Sequence, residues 1–290
     1  MSMNRRDILA AAAAFGVAAC SAPQVGEAAP VPFQPTRFSV EVRGSGPDVI
    51  LIPGLTQGPD VWSSTVSALP GFRYHLIHVN GFAGAPAAGN QQGPVVAPLA
   101  EEIGRYIAAR RLAQPALVGH SMGGTLALMV AAQRPGAVGK VMVVDMLPQP
   151  AGLFGWSSRD IGPLANSLKD LMGTPGGRQL VGSFVGAFGA PQASRNGSDP
   201  DVVTRAVQEL AGLDLTPMLP RIDAPLTVVY ASAGDSARAR VDATYAQEYA
   251  RAAKPRLVRI DNSGHMIMWS QPARFQAALR EFLQMAPPAH

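Results

Sequence analysis

Residues 116–124 read Ala116-Leu117-Val118-Gly119-His120-Ser121-Met122-Gly123-Gly124, and an apolar helical run follows over Thr125–Gln133. A short apolar strand therefore enters a G-x-S-x-G pentapeptide and leaves it as a helix. As a bare pattern the pentapeptide is weak, because glycine and serine are common. Between a strand and a helix it matches the strained turn that lifts a serine hydroxyl above a sheet edge. Such a turn is tight, so Gly119 and Gly123 must be small for the backbone to pass. Gly124 adds a third small residue where the helix crosses the sheet.

Outward from this turn the pattern alternates. Arg37–Val42 and Tyr74–Val79 read as strands. Asp48–Pro53 (DVILIP), Ala116–Gly119 and Lys140–Asp145 (KVMVVD) are short continuous apolar runs suited to buried parallel strands. Val61–Leu69 and Val95–Arg111 have helical spacing between them. After Pro148 the rhythm breaks, and Pro225–Tyr230 (PLTVVY) restores it. A helix over Arg238–Ala252, a strand over Arg256–Ile260 and a helix over Pro272–Gln284 close the chain. Strands separated by helices at this spacing predict βαβ units, an α/β fold with a doubly wound, mostly parallel sheet.

A serine hydroxyl becomes a useful nucleophile only when a base removes its proton. Five histidines are candidates. His75 and His78 lie on a predicted strand, and His290 ends the chain. His120 adjoins Ser121 but points away from its hydroxyl. His265, in Asp261-Asn262-Ser263-Gly264-His265-Met266, follows the last predicted strand in a loop. Loops at the carboxyl ends of parallel strands converge on one crevice, so His265 and Ser121 can meet. The imidazole needs a carboxylate to hold its tautomer. Asp235, just after PLTVVY, and Asp145, at the end of KVMVVD, both stand at strand ends. Asp235 is the expected acid and Asp145 the alternative; Asp242, within a predicted helix, and Asp261, too close to His265, are weaker.

From Arg37 onward the chain resembles the α/β-hydrolase fold superfamily in its lid-bearing serine esterase-like branch. The likeness is carried by LIPGL (51–55), GHSMGG (119–124), VVYASAGD (228–235) and NSGHMIMWSQP (262–272), in the order serine, acid, histidine. The chain departs from the family where its His-Gly dipeptide is Pro53-Gly54 and where Gly234-Asp235 stands one residue beyond the usual G-x-x-D spacing. The resemblance implies a serine hydrolase of carboxylic esters working through an acyl-enzyme. The same triad would also serve a lactone, an amide or a C–C bond, and a non-catalytic binding protein on this fold is the reading from another class. It implies an oxyanion hole from the backbone N–H of Met122, after the nucleophile, and of Leu55, after the family's strand three. No metal and no cofactor is called for. The break over residues 148–223, with Leu153, Phe154, Trp156, Phe184 and Phe188 among glycines, is expected to be a helical lid inserted after the family's strand six, over a small, apolar ester substrate.

The N-terminus reads as an address. Arg5–Arg6 precede the apolar stretch Ile8–Ala19, the layout of an export signal over residues 1–20 and similar to a twin-arginine leader. Val17-Ala18-Ala19-Cys20 resembles the bacterial lipobox, so Cys20 is the expected lipidation site and the expected location is outside a bacterial cytoplasm, as a membrane-anchored lipoprotein facing the periplasm or cell exterior, with a periplasmic or secreted protein as the alternative. Residues 21–36, with Pro23, Pro30, Pro32 and Pro35, read as a tether, and 37–290 as the hydrolase domain. Membrane association is expected only through that anchor.

Composition narrows the classes further. In 290 residues, 47% are hydrophobic and 15% charged, so a sizeable core is available and bulk disorder is excluded. One cysteine excludes an intramolecular disulfide and a cysteine-cluster metal site. A net charge of +4 comes from scattered side chains rather than a basic stripe, which argues against nucleic acid.

Overall fold

In the computed structural model, residues 33–154, 174, 176 and 197–285 are described. The chain divides into two units, Met1–Pro32 and Phe33–His290, and the first lies outside the described residues, as does Cys20. The domain thus includes Phe33, a few residues ahead of the expected start. The buried carboxylate of Glu102 accepts from the Thr36 amide at 2.9 Å, the Thr36 hydroxyl at 3.0 Å and the Arg37 amide at 2.8 Å, which fastens that entry.

The seven strands are β1 (Phe38–Gly44), β2 (Asp48–Ile52), β3 (Arg73–Val79), β4 (Ala116–His120), β5 (Lys140–Val144), β6 (Leu226–Ser232) and β7 (Arg256–Asp261). They form one sheet in the order β1-β3-β2-β4-β5-β6-β7. Only the edge pair β1–β3 is antiparallel. The sheet order reverses around β2 and β4, which is where a doubly wound sheet opens a crevice at its carboxyl edge.

Alternation along each strand decides which helices cover which face. Ile50 and Ile52 of β2 face one layer, with α2 (Val96–Ala109), α3 (Met122–Gln133), α4 (Pro200–Gly212) and α5 (Asp235–Glu248) contributing to the same core. Val49 and Leu51 face the other, packed with Trp62, beside α1 (Ser63–Ala68), and with α6 (Ile267–Ser270) and α7 (Pro272–Gln284). Because both faces are covered, the central strands are apolar throughout rather than alternating. Helix α3 is buried on every side from Met122 to Ala132, since it lies between the sheet, α2 and neighbouring loops.

Most expected elements occur within a few residues of the expected bounds. Of the expected lid, residues 155–173, 175 and 177–196 lie outside the described set. The described part contains α4, with Asp199 accepting from the Asp201 and Val202 amides as its N-cap. Arg205 donates to the carbonyls of Asn90, Gln91 and Gly93, and Glu209 accepts from the Val95 and Val96 amides at the start of α2. These polar ties hold α4 against the domain body beside the loops that follow β3. Among the described residues, no helix is long and apolar enough to cross a membrane.

Candidate active site

The strand β4 to α3 junction has the strain that the G-x-S-x-G pattern predicts. Ser121 has φ 54° and ψ −124°, a region that a non-glycine residue occupies only when its surroundings impose it. Those surroundings are steric. A Cβ on Gly119 would lie 2.0 Å from the Gly123 carbonyl oxygen, and one on Gly123 would lie 2.2 Å from the Ile52 carbonyl oxygen. A Cβ on Gly124 would lie 2.9 Å from Val143 Cγ1. The glycines are therefore required by close backbone approach. The Ser121 amide donates to the Val144 carbonyl at 2.9 Å, and the Ser121 carbonyl accepts from the Gly124 amide at 2.8 Å. Met122 opens α3, where first-turn N–H groups have no intrahelical acceptor and carry the positive end of the helix dipole.

The loop after β2 passes directly over this turn. A Cβ on Gly54 would come within 3.1 Å of Ser121 Cβ, so the backbone leading to Leu55 is held against the serine. The Gly54 amide donates to Gln57 Oε1 at 2.9 Å, and Thr56 takes φ 62°, which folds the loop back on itself. Leu55 is half-buried between them.

His265 sits in the loop joining β7 to α6, and its Nδ1 lies 2.8 Å from Asp145 Oδ2. Both side chains are only 11% exposed. Asp145 follows β5 directly with φ 51°, and its amide donates to the Val229 carbonyl at 2.7 Å. Its other carboxylate oxygen, Oδ1, accepts from the Ala231 amide at 2.8 Å and from the Tyr245 hydroxyl at 3.1 Å. The carboxylate is thus satisfied on both oxygens by three different elements.

The expected acid, Asp235, stands elsewhere. Strand β6 runs to Ser232, two residues beyond the apolar run, and Asp235 becomes the first residue of α5. Its side chain is 83% exposed and pairs with Arg238 at 2.8 Å, one helical turn on. The partner of His265 is therefore Asp145, the alternative, rather than Asp235. The extra residue in the G-x-x-D spacing was the visible signal: it shifts the carboxylate from the strand end onto the helix.

The other histidines are accounted for by structural contacts. His120 is fully buried, with Nδ1 3.1 Å from Gln57 Oε1 and Nε2 3.0 Å from the His265 carbonyl oxygen. Burial, with the His265 ring 4.7 Å away between centroids, holds it well below the usual imidazole range, so it is neutral. A neutral ring carries one N–H and can donate to only one of those oxygens at a time. Gln57 also donates to Met266 Sδ at 3.1 Å. His120 and Gln57 thus tie together the loop after β2, the serine turn and the histidine loop. From sequence His120 was weighed only as a base, and Gln57 was not singled out although it stands three residues after Gly54 in the same loop. His75 contacts Asp48 and Tyr106, and His78 contacts the Phe82 carbonyl. Asp242 accepts from the Tyr230 hydroxyl, and Asp261 from Arg238 and Arg259. His290 lies outside the described residues.

Ser121, Asp145, His265 and the Gly54–Leu55 backbone thus stand at the carboxyl ends of β4, β5, β7 and β2, on one edge of the sheet. Comparison with known proteins agrees with the fold. The sequence profile of the Alpha/beta hydrolase family matches residues 49–278. A pimeloyl-[acyl-carrier protein] methyl ester esterase of Vibrio atlanticus is 26% identical over 209 residues, covering 65% of this chain and 77% of its own length. An N-formylmaleamate deformylase of Pseudomonas putida is 26% identical over 249 residues, covering 83% of this chain and 90% of its own. An esterase from Exiguobacterium antarcticum superposes with a TM-score of 0.64 at 21% identity, over 86% of this chain and 96% of its own.

Proposed function

The chain belongs to the Alpha/beta hydrolase family, and from that premise we propose that it is a serine hydrolase of carboxylic esters, with Ser121 as nucleophile, His265 as general base and Asp145 as the acid that orients it. The observation that carries this reading is the 2.8 Å contact between His265 and Asp145 on the same sheet edge as the strained Ser121. With Asp145 on Nδ1, Nε2 is the nitrogen that takes the serine proton. Ser121 Oγ attacks the ester carbonyl, and the developing oxyanion meets the N–H groups of Met122 and Leu55. Collapse expels the alcohol, which receives the proton from His265. Water, activated by the same histidine, then releases the acid and restores Ser121. Losing one oxyanion donor typically costs about 3–4 kcal/mol of transition-state stabilisation.

The names of the relatives support acyl transfer as the reaction class: one is called a methyl ester esterase and the other a deformylase. A fluorophosphonate probe tests the mechanism. The folded protein should be labelled on Ser121, and Ser121→Ala should abolish labelling; a folded wild type that resists the probe overturns the proposal. A chain-length series of chromogenic esters, run beside lactones and N-formyl amides, then assigns the bond. Esters should turn over fastest.

The proposal extends to location: export by the Arg5–Arg6 leader and anchoring through a lipid on Cys20, with the proline-rich tether between anchor and domain. Cys20→Ser should move the protein from the membrane fraction to the soluble fraction. Unchanged partitioning would sink the lipid anchor while leaving the hydrolase reading intact.

A further inference from the structure

We infer that Tyr245, on α5, is a positioning residue of this site: its hydroxyl holds the Asp145 carboxylate in the orientation that delivers Oδ2 to His265. The inference rests on Asp145 being the acid, and goes beyond it by assigning a side chain that never touches substrate.

A carboxylate on a residue with φ 51°, as in Asp145, has no regular secondary structure to aim it. Left to itself, an aspartate χ2 torsion is broad, so either oxygen could swing toward the imidazole. Here Oδ1 is engaged by two donors from two elements, the Ala231 amide of β6 at 2.8 Å and the Tyr245 hydroxyl of α5 at 3.1 Å. With Oδ1 held from both sides, Oδ2 faces Nδ1 of His265 at 2.8 Å. The backbone donor fixes one direction and the phenol a second; together they fix the carboxylate plane.

Tyr245 is itself well supported. It is 4% exposed and stacks between two other tyrosines, with ring centroids 4.2 Å from Tyr230 and 6.4 Å from Tyr249. The Tyr249 hydroxyl donates to the Met146 carbonyl at 2.8 Å, just past the acid. Burial, and then the charge of Asp145, push the Tyr245 phenol well above its ordinary range, so it remains a donor wherever the enzyme would work. An aligned stack of this kind resists rotation, which is what a positioning hydroxyl requires.

The donors also set how much charge Asp145 concentrates on Oδ2. A hydrogen bond to a carboxylate spreads its charge toward the donor, and its removal leaves more on the oxygen facing His265. The titratable groups around the pair are Tyr245 and Tyr249 from α5, Tyr230 from β6 and His120 from the serine turn. Of these, Tyr245 alone is hydrogen-bonded to the carboxylate among the described residues.

The test compares Tyr245→Phe with Tyr249→Phe, each of which deletes one buried hydroxyl from the same stack. Tyr245→Phe should lower kcat about tenfold with KM little changed, the effect of losing one hydrogen bond to a charged group. The acid limb of its kcat/KM profile should move to higher pH by about half a unit, because the imidazolium faces a more concentrated charge. Tyr249→Phe should lower Tm comparably and leave both kcat and the pH limb in place. In an Asp145→Asn background, Tyr245→Phe should cost little further. Two variants with equal loss of Tm and unmoved pH profiles would reduce Tyr245 to a packing residue and overturn the inference. If Asp145→Asn itself retains near wild-type turnover, the assignment of the acid fails instead. The two failures are therefore distinct.

Discussion

Among the described residues two aspartate–histidine pairs are buried, and only one of them stands at the carboxyl edge of the sheet. In the first, Asp145 meets His265 at 2.8 Å; in the second, Asp48 meets His75 at 2.9 Å. Their exposures are alike, 11% for each side chain of the first pair and 10% and 5% for Asp48 and His75. Their positions on the sheet are opposite. Asp145 and His265 follow the carboxyl ends of β5 and β7, on the sheet edge where Ser121 also stands. Asp48 opens β2 at the amino edge, beside the start of β3. Their surroundings differ as well. His75 has both ring nitrogens engaged within the fold, one by Asp48 and one by the Tyr106 hydroxyl at 2.8 Å. Asp48 is further clamped by Arg73, whose guanidinium reaches Oδ1 at 2.5 Å and Oδ2 at 2.8 Å. That pair ties β2, β3 and α2 together. An aspartate–histidine contact is thus not in itself a catalytic feature; its place on the sheet and its third partner decide.

The largest effect is expected at Asp145. Asp145→Asn should cut turnover by about 10⁴, the scale seen when the imidazole loses its orienting carboxylate, with the fold retained. Asp235→Asn, on an exposed carboxylate paired with Arg238, should leave turnover within about twofold. Esterase kinetics on both variants check this, and equal losses at the two positions would erase the distinction drawn here. At the other pair the expected effect is smaller and of a different kind. Asp48→Asn should leave kcat unchanged and lower stability at neutral pH by about 1–2 kcal/mol, measured by urea unfolding. Its pH dependence has a definite sign. Arg73 first, and then His75, hold the Asp48 carboxyl below the usual carboxylate range. The wild-type advantage should therefore be complete above the unfolded value of about 3.9 and close as pH falls through the lower folded value. A loss of turnover in Asp48→Asn would mean that the two pairs are coupled.

The reading of the sequence reached unequal depths at different residues. The apolar runs located the central strands β2, β4, β5 and β6, because strands buried on both faces have few polar positions to blur the pattern. The serine turn was legible because its geometry forbids anything larger than glycine at 119 and 123. His265 was reachable by elimination and by its place after the last strand. The acid was only half legible, because Asp145 and Asp235 both follow apolar strands and the one local signal against Asp235 was the extra residue in its spacing. One residue of extra length after β6 put Asp235 on a helix facing solvent. Tyr245 was beyond reach altogether, since its hydroxyl meets a residue 100 positions away.

What the amino-acid sequence determined by itself was the local and the periodic: a doubly wound sheet, a strained serine between strand and helix, and a histidine in the loop that follows the last strand. These depend on side-chain size, backbone freedom and hydrophobic repeat, all of which operate over a few neighbouring residues. Only the tertiary structure decided which carboxylate meets that histidine, and that a glutamine, a second histidine and a tyrosine brace the site. Those choices are matters of direction in space. They are made when β5, β6, β7 and α5 pack around a buried carboxylate whose two oxygens both need partners.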